Sequence, residues 1–309
     1  MPRSTGGRVT GQGDRARGAL LGLAVGDAVG TTLEFEPRDA YPILTDMIGG
    51  GPFDLRPGEW TDDTAMALAL ADSLVAHDAL DPGDLMRRFV RWWREGDYSC
   101  TGTCFDIGVT TRAALARFER TGDPIAGDTD PMTAGNGSLM RLAPVAIWGA
   151  SRDKRRMRDV ARVQSATTHG AVACLEACEA YALMLRAAIN GAGREAAIAA
   201  GAVATAQPPI GPVLAGSWRS KGRRQIASSG FVAHSLEAAL WCVTGTDSFS
   251  GAVLLAANLG DDADTTAAIT GQLAGALYGD CGIPAAWRAR VAWGERIAAT
   301  ATALLGEHG

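Results

Sequence analysis

Two short stretches, Gly58-Glu-Trp-Thr-Asp-Asp-Thr64 and Gly260-Asp-Asp-Ala-Asp-Thr-Thr266, decide how the chain is read. Each crowds carboxylates and threonine hydroxyls directly ahead of helix-forming sequence. After the first, Met66, Leu70 and Leu74 recur every fourth residue; after the second, Ile269, Leu273 and Leu277 do the same. Each cluster therefore opens a helix with one apolar face. A lone cluster reads as a helix cap, because Thr and Asp side chains accept from the free N–H groups of a first turn. One cap needs one acceptor, however, and adjacent carboxylates repel unless cations or hydrogen bonds compensate. The five aspartates and the threonines of the pair are hard oxygen donors with no His or Cys among them. That set suits Mg²⁺ or Mn²⁺ far better than zinc.

Outward from the clusters, helical periodicity dominates. Between Asp14 and Val29, Leu20, Leu23, Ala24 and Ala28 mark a buried face, and Gly22 and Gly26 allow a second backbone to come close. Asp27, beside that face, is either a hydrogen-bonded structural acid or a substrate contact. The segment from Thr31 to Gly58, punctuated by Pro and Gly, reads as a long excursion of the kind used for lids and binding loops. Further helices are expected over Asp84–Glu95 and Thr110–Arg120. Others follow from Gly135-Asn-Gly-Ser through Ala150, after His169 (Val172, Leu175, Cys178, Ala182, Leu185 and Ile189 on one side), over 193–207, from Ser229, and as one last helix over Pro284–Leu305. Asp106 lies in a turn before one of these helices. The small-residue turn at 135–138 presents N–H groups suited to a phosphate or ribose edge. No stretch alternates with a period of two, so the fold class is all-α: an orthogonal bundle of about a dozen helices, with residues 1–13 a flexible leader and 14–309 one domain.

A net charge of −5 argues against general affinity for nucleic acid or an anionic membrane, and no run of 18 apolar residues predicts a span. The six cysteines, Cys100, Cys104, Cys174, Cys178, Cys242 and Cys281, form no C-x-x-C and have no histidine partners. They read as free thiols of a cytoplasmic protein, which is expected to be a monomer. His77-Asp78 has the form of an HD phosphohydrolase dipeptide, but no histidine precedes it to complete a ligand set, so it reads as a surface helix end.

Five motifs together resemble the ADP-ribosylglycohydrolase family: Gly22-x-x-x-Gly26-Asp-Ala-x-Gly30 with Glu34-Phe35, Trp60-Thr-Asp-Asp-Thr64, Gly135-Asn-Gly-Ser-Leu-Met-Arg141, Thr168-His169 and Gly260-Asp-Asp-Ala-Asp-Thr265. The resemblance runs from Gly18 to about Gly279. It implies a two-metal hydrolase that cleaves the glycosidic bond at ribose C1 of an ADP-ribosylated protein or small molecule, with arginine the first acceptor to consider. Thr61, Asp62, Asp63, Asp262, Asp264 and Thr265 would hold two Mg²⁺ or Mn²⁺ ions, and Asp106, or alternatively Glu34, would move the proton. Asp27, Gly135, Asn136, Gly137, Ser138, His169 and Phe231 would contact substrate, whereas Asp261 is not implied as a ligand. Val109 and Phe231 depart from the polar residue and the tyrosine frequent at their positions. A module that binds ADP-ribose without cleaving it, and a metal phosphohydrolase acting on nucleotides, are the competing readings.

Overall fold

The structure, a computed structural model, describes residues 11–203 and 206–306. Among them the chain forms fourteen α-helices and no strand beyond isolated bridges. In chain order the first seven are α1 (Gln12–Gly30), α2 (Asp62–His77), α3 (Pro82–Glu95), α4 (Val109–Thr121), α5 (Ala143–Trp148), α6 (Lys154–Ala166) and α7 (Val172–Ile189). The remainder are α8 (Arg194–Ala200), α9 (Ile210–Leu214), α10 (Val232–Thr244), α11 (Phe249–Ala257), α12 (Ala263–Tyr278), α13 (Ala285–Arg290) and α14 (Gly294–Leu305). Gln12 and Gly13, expected in the leader, already belong to α1; residues 1–10 lie outside the described residues, as do 204 and 205 of the Ala-rich stretch.

Helices α1 and α12 are apolar on all sides and lie at the centre, where nearly every residue is buried. They run antiparallel with backbones nearly touching. A Cβ added at Gly18, Gly22, Gly26 or Gly30 would stand 2.3, 2.3, 2.2 or 2.4 Å from the carbonyl oxygen of Gly275, Gly271, Ala267 or Ala263 respectively. The four-residue spacing of these glycines paves one face of α1, so that the helix seats on α12 along its length. This contact brings the C-terminal end of α1, with Asp27 and the following Glu34, to the N-terminus of α12, where the second acidic cluster begins. Helix α2 delivers the first cluster to the same place.

The structure departs from the expected helices in four places, one of them the stretch 193–207, where α8 already ends at Ala200. Residues 135–142 form turns, and the helix starts only at Ala143. Leu139 N and Met140 N both donate to Asn136 O, Asn136 N donates to Gly230 O, and Pro144 suits a first turn better than an interior. The expected last helix is two. Trp60 reaches across so that its indole N–H donates to Ala292 O (3.0 Å) while Ala292 N donates to Gly58 O (2.8 Å), and Trp293 turns to φ 57° to face the Trp60 ring. In α7, Val172 is exposed and Leu175 half-buried, because the first turn of that helix lies at the surface. His77-Asp78 does end α2 at the surface, with Asp78 in the left-handed region.

The α1–α12 contact sets a stability test. Adding a methyl to Gly271 places it 2.0 Å from Gly22 O. Gly271→Ala should therefore cost about 1–3 kcal/mol or more despite the better helix propensity of alanine. Gly193→Ala meets open space at the cap position of α8 and should cost only the poorer capping of alanine, about 0.5–1 kcal/mol. Urea midpoints for the two variants check the contrast.

Candidate active site

Each acidic cluster sits where a helix begins, yet neither caps its own helix. Thr61 and Asp262 occupy the cap positions of α2 and α12 without a capping side-chain hydrogen bond. Acids from elsewhere perform that service. Thr61 N and Oγ1 donate to Asp27 Oδ1 at 2.8 and 2.9 Å, and Thr64 N and Oγ1 donate to Asp27 Oδ2 at 3.0 and 2.6 Å. Glu34 Oε2 accepts from Ala263 N at 2.8 Å and Asp264 N at 3.3 Å. Asp27 and Glu34 thus meet four of the N–H groups at these helix starts, while within α12 Asp264 Oδ1 also accepts from Thr265 N at 2.6 Å.

Those carboxylates converge. Asp27, Asp63 and Asp264 bring one carboxylate oxygen each within 4.8 Å of one another, and Glu34, Asp106 and Asp264 form a second such trio. Asp264 belongs to both. Thr61 Oγ1 donates to Asp264 Oδ2 (3.1 Å), and Thr265 Oγ1 donates to Asp63 Oδ2 (3.3 Å), while Asp63 Oδ1 is buried with no hydrogen-bond partner. Burial and repulsion from neighbouring carboxylates push Asp27, Glu34, Asp62, Asp63, Asp106 and Asp262 toward their protonated forms. Asp27 and Asp262 rise to about 7, by burial and then by Asp264, and Asp106 rises to about 11 from the same two causes. Glu34, Asp62 and Asp63 are strongly raised too, again chiefly by burial.

The clusters form the floor of a cavity of about 730 Å³, a size that suits a nucleotide-sized ligand. Glu34, Asp62, Asp106, Asp262, Asp264 and Thr265 line it. One wall is the start of α4, where Val109, Thr110 and Thr111 follow the uncapped Gly108. The opposite wall is the turn Gly135-Asn136-Gly137. Asn136 Nδ2 donates to Asp262 Oδ2 (2.6 Å), which ties this turn to the floor. Beneath the turn lies His169, whose Nδ1 pairs with Thr168 Oγ1 at 2.8 Å. A Cβ at Gly137 would stand 2.8 Å from its Cε1, so glycine is required for the ring to pack there. Burial, helped by Arg141, lowers His169 to about 3, and the imidazole is neutral. Arg141 is itself fully buried, bonded to Gln164 Oε1 (3.0 Å), Gln164 O (2.8 Å) and Thr167 Oγ1 (3.3 Å), with no carboxylate in contact. Burial brings it down only to about 9, so it remains a cation behind the acidic floor.

Three residues expected at the substrate are placed elsewhere. Asp27 does not line the cavity; its four hydrogen bonds make it the brace of the first cluster. Ser138 points behind the turn, accepting from Ser165 Oγ at 2.8 Å. Phe231 stacks edge-on against His234 and lines a separate cavity with Val172 and Pro209, because the backbone pairing of Gly135 with Phe231 turns its ring away. Conversely, Phe35, Thr111, Met140 and Asp261 line the main cavity without having been singled out for it. The Thr110-Thr111 pair after Asp-Ile-Gly was a usable signal, being polar residues at a helix start. Phe35 had none.

The comparisons agree with this geometry. The family model described as ADP-ribosylglycohydrolase matches residues 9–309. The chain is 50% identical over 284 residues to "ADP-ribosylarginine hydrolase Tri1" of Pseudomonas putida (strain GB-1), covering 92% of this chain and 76% of the relative. It is 34% identical over 297 residues to "ADP-ribosyl-[dinitrogen reductase] glycohydrolase" of Rhodospirillum rubrum, covering 90% of each. A solved structure titled "ADP-ribosylglycohydrolase-related protein complex" superposes with a TM-score of 0.85 at 42% identity, covering 96% of this chain and 98% of that one.

The raised acids predict how the chelated protein responds to pH. An acid whose folded pKa exceeds its unfolded value near 4 stabilises the fold fully below about 4, and that stability is lost as pH rises through the folded value. For Asp27 and Asp262 the loss runs from about pH 4 to about 7. Unfolding free energy in EDTA should thus fall across this window, and added Mg²⁺ or Mn²⁺ should restore most of it at pH 7.5. Chelated protein whose stability rose from pH 5 to 7 would contradict the electrostatics described.

With the five motifs converging on one cavity and the family match spanning the whole described chain, the protein belongs to the ADP-ribosylglycohydrolase family, whose members hydrolyse ADP-ribose linkages.

Proposed function

We propose that the protein removes ADP-ribose from modified arginine side chains of proteins, hydrolysing the N-glycosidic bond at ribose C1 with the help of two hard cations, Mg²⁺ or Mn²⁺. The observation that carries this reading is the sharing of Asp264 by two carboxylate trios on the floor of a nucleotide-sized cavity. The donor set fits such ions: it is oxygen only, it is crowded, and Asp63 Oδ1 lies buried without a donor. Thr61, Asp62 and Asp63 from α2 would hold them from one side, and Asp262, Asp264 and Thr265 from α12 from the other. The name of the Pseudomonas putida relative favours arginine as the acceptor.

When bound, such ions supply Lewis acidity to a water and to the ribose hydroxyls. The remaining chemistry belongs to the side chains. Asp106, which burial makes able to hold a proton at neutral pH, lines the cavity and is the donor to the departing guanidine nitrogen. Glu34 is occupied through Oε2 by the N-terminus of α12, which favours a role in holding Asp264 in place over proton transfer. The free N–H groups opening α4 suit the diphosphate, and the turn at 135–137, supported by the neutral His169, closes the facing wall without adding charge.

Incubation of the protein with an arginine-ADP-ribosylated peptide and Mg²⁺ or Mn²⁺ should release free ADP-ribose, and a chelator should stop it. Asp264→Ala, which removes a ligand common to both trios, should lower turnover by about a thousandfold or more, equivalent to roughly 4 kcal/mol. Full metal-dependent turnover by that variant would overturn the assignment. Tight binding without release by the parent protein would make it a binding module, and phosphate release from nucleotides a phosphohydrolase.

A further inference from the structure

Two residues at the mouth of the cavity have no part in the chemistry just described. Asp261 and Phe35 both line it, both are exposed, and both hold left-handed backbone conformations, with φ of 58° and 63°. Such angles are uncommon for residues other than glycine and are sparsest for bulky side chains. They persist here because the two segments clasp each other. Phe35 N donates to Asp261 O at 2.8 Å, and Asp261 N donates to Glu36 O at 2.9 Å. The clasp holds the backbones of Phe35 and Asp261 together at the entrance, where both side chains line the cavity.

The Asp261 carboxylate is uncommitted. Its one side-chain contact is a long one from Ser228 Oγ at 3.5 Å, and among the described residues no ion pair reaches it. Arg38, on the same strap, spends its donors on Leu259 O, Arg223 O and Ser228 Oγ. The exposed side of the Phe35 ring is similarly open, its inner edge resting on Phe53, which in turn packs on Phe105. An open aromatic face next to an unpaired carboxylate is the pairing that receives a planar cation, through stacking and charge-assisted hydrogen bonds. With the metal ligands and the ADP-ribose contacts deeper in the cavity, a cation at the mouth belongs to the acceptor side of the scissile bond.

We infer that Asp261 and Phe35 form the acceptor-reading pair of this enzyme, selecting a guanidinium-bearing acceptor over a neutral one. This rests on the proposed hydrolysis of ADP-ribosylarginine and adds the residues that choose the acceptor. An O-linked conjugate such as ADP-ribosylserine carries no charge at that point and gains nothing from the pair.

The test compares kcat and KM for matched arginine-linked and serine-linked ADP-ribosyl peptides. Asparagine tolerates the left-handed region, so Asp261→Asn removes the charge without disturbing the clasp. KM for the arginine-linked peptide should rise about tenfold, with kcat changed less than about twofold, and values for the serine-linked peptide should hold. Phe35→Asn should raise the same KM by about two- to fivefold. Raising ionic strength should weaken arginine-linked binding in the parent protein and much less in Asp261→Asn, a screening effect that a structural role would not produce. If the parent turns over the arginine-linked peptide and Asp261→Asn leaves its KM and salt dependence unchanged, the inference fails while the proposed function stands. A parent that never releases ADP-ribose from arginine overturns both.

Discussion

The backbone contact between α1 and α12 is the constraint on which the rest of the molecule depends. Four glycines of α1 and two of α12 remove the side chains that would hold the helices apart, so carbonyl oxygens lie where methyl groups would otherwise stand. Such an approach forfeits the apolar area those side chains would bury, and recovers it through close dispersion contact and Cα–H···O contacts. What it gains is register. With the helices antiparallel, the end of α1 is held against the beginning of α12, and an error of one turn would move Asp27 and Glu34 about 5.4 Å from the groups they serve.

That register solves an electrostatic problem. Six acids are buried or nearly so in one region, and the Asp264 carboxylate among them raises every one. The fold offsets part of this with the N-terminal ends of α2 and α12, whose free N–H groups face Asp27 and Glu34. Arg141, buried with its donors on Gln164 and Thr167, contributes a fixed positive charge from behind. The remaining repulsion makes the clusters costly without a compensating cation.

Several parts of this were legible in the residues. The all-α class, the helix behind each acidic cluster and the hard-donor character of the site follow from periodicity and composition, because these are local properties. The misreadings share one cause. The 135–142 turn looked like a helix start because its apolar residues suit one, yet Asn136 was drawn to Gly230 and Asp262, residues far away in the chain. Phe231 was expected at the substrate, but its direction is set by the same pairing with Gly135. The last helix broke at Trp293 because Trp60 claimed Ala292.

The question posed by the two acidic clusters, helix caps or ligands, shows where the division falls. The sequence by itself determined that carboxylates and hydroxyls would gather at two helix starts, since spacing and residue type dictate a first turn. It had no means of saying which acids would satisfy those turns. Only the tertiary structure decided that Asp27 and Glu34 meet most of that need from another helix and its following strap, and that Asp63 and Asp264 face one another across the two helix starts. The physical reason is that a cap needs only an acceptor within hydrogen-bond distance, and distance across a chain of this length is set by packing.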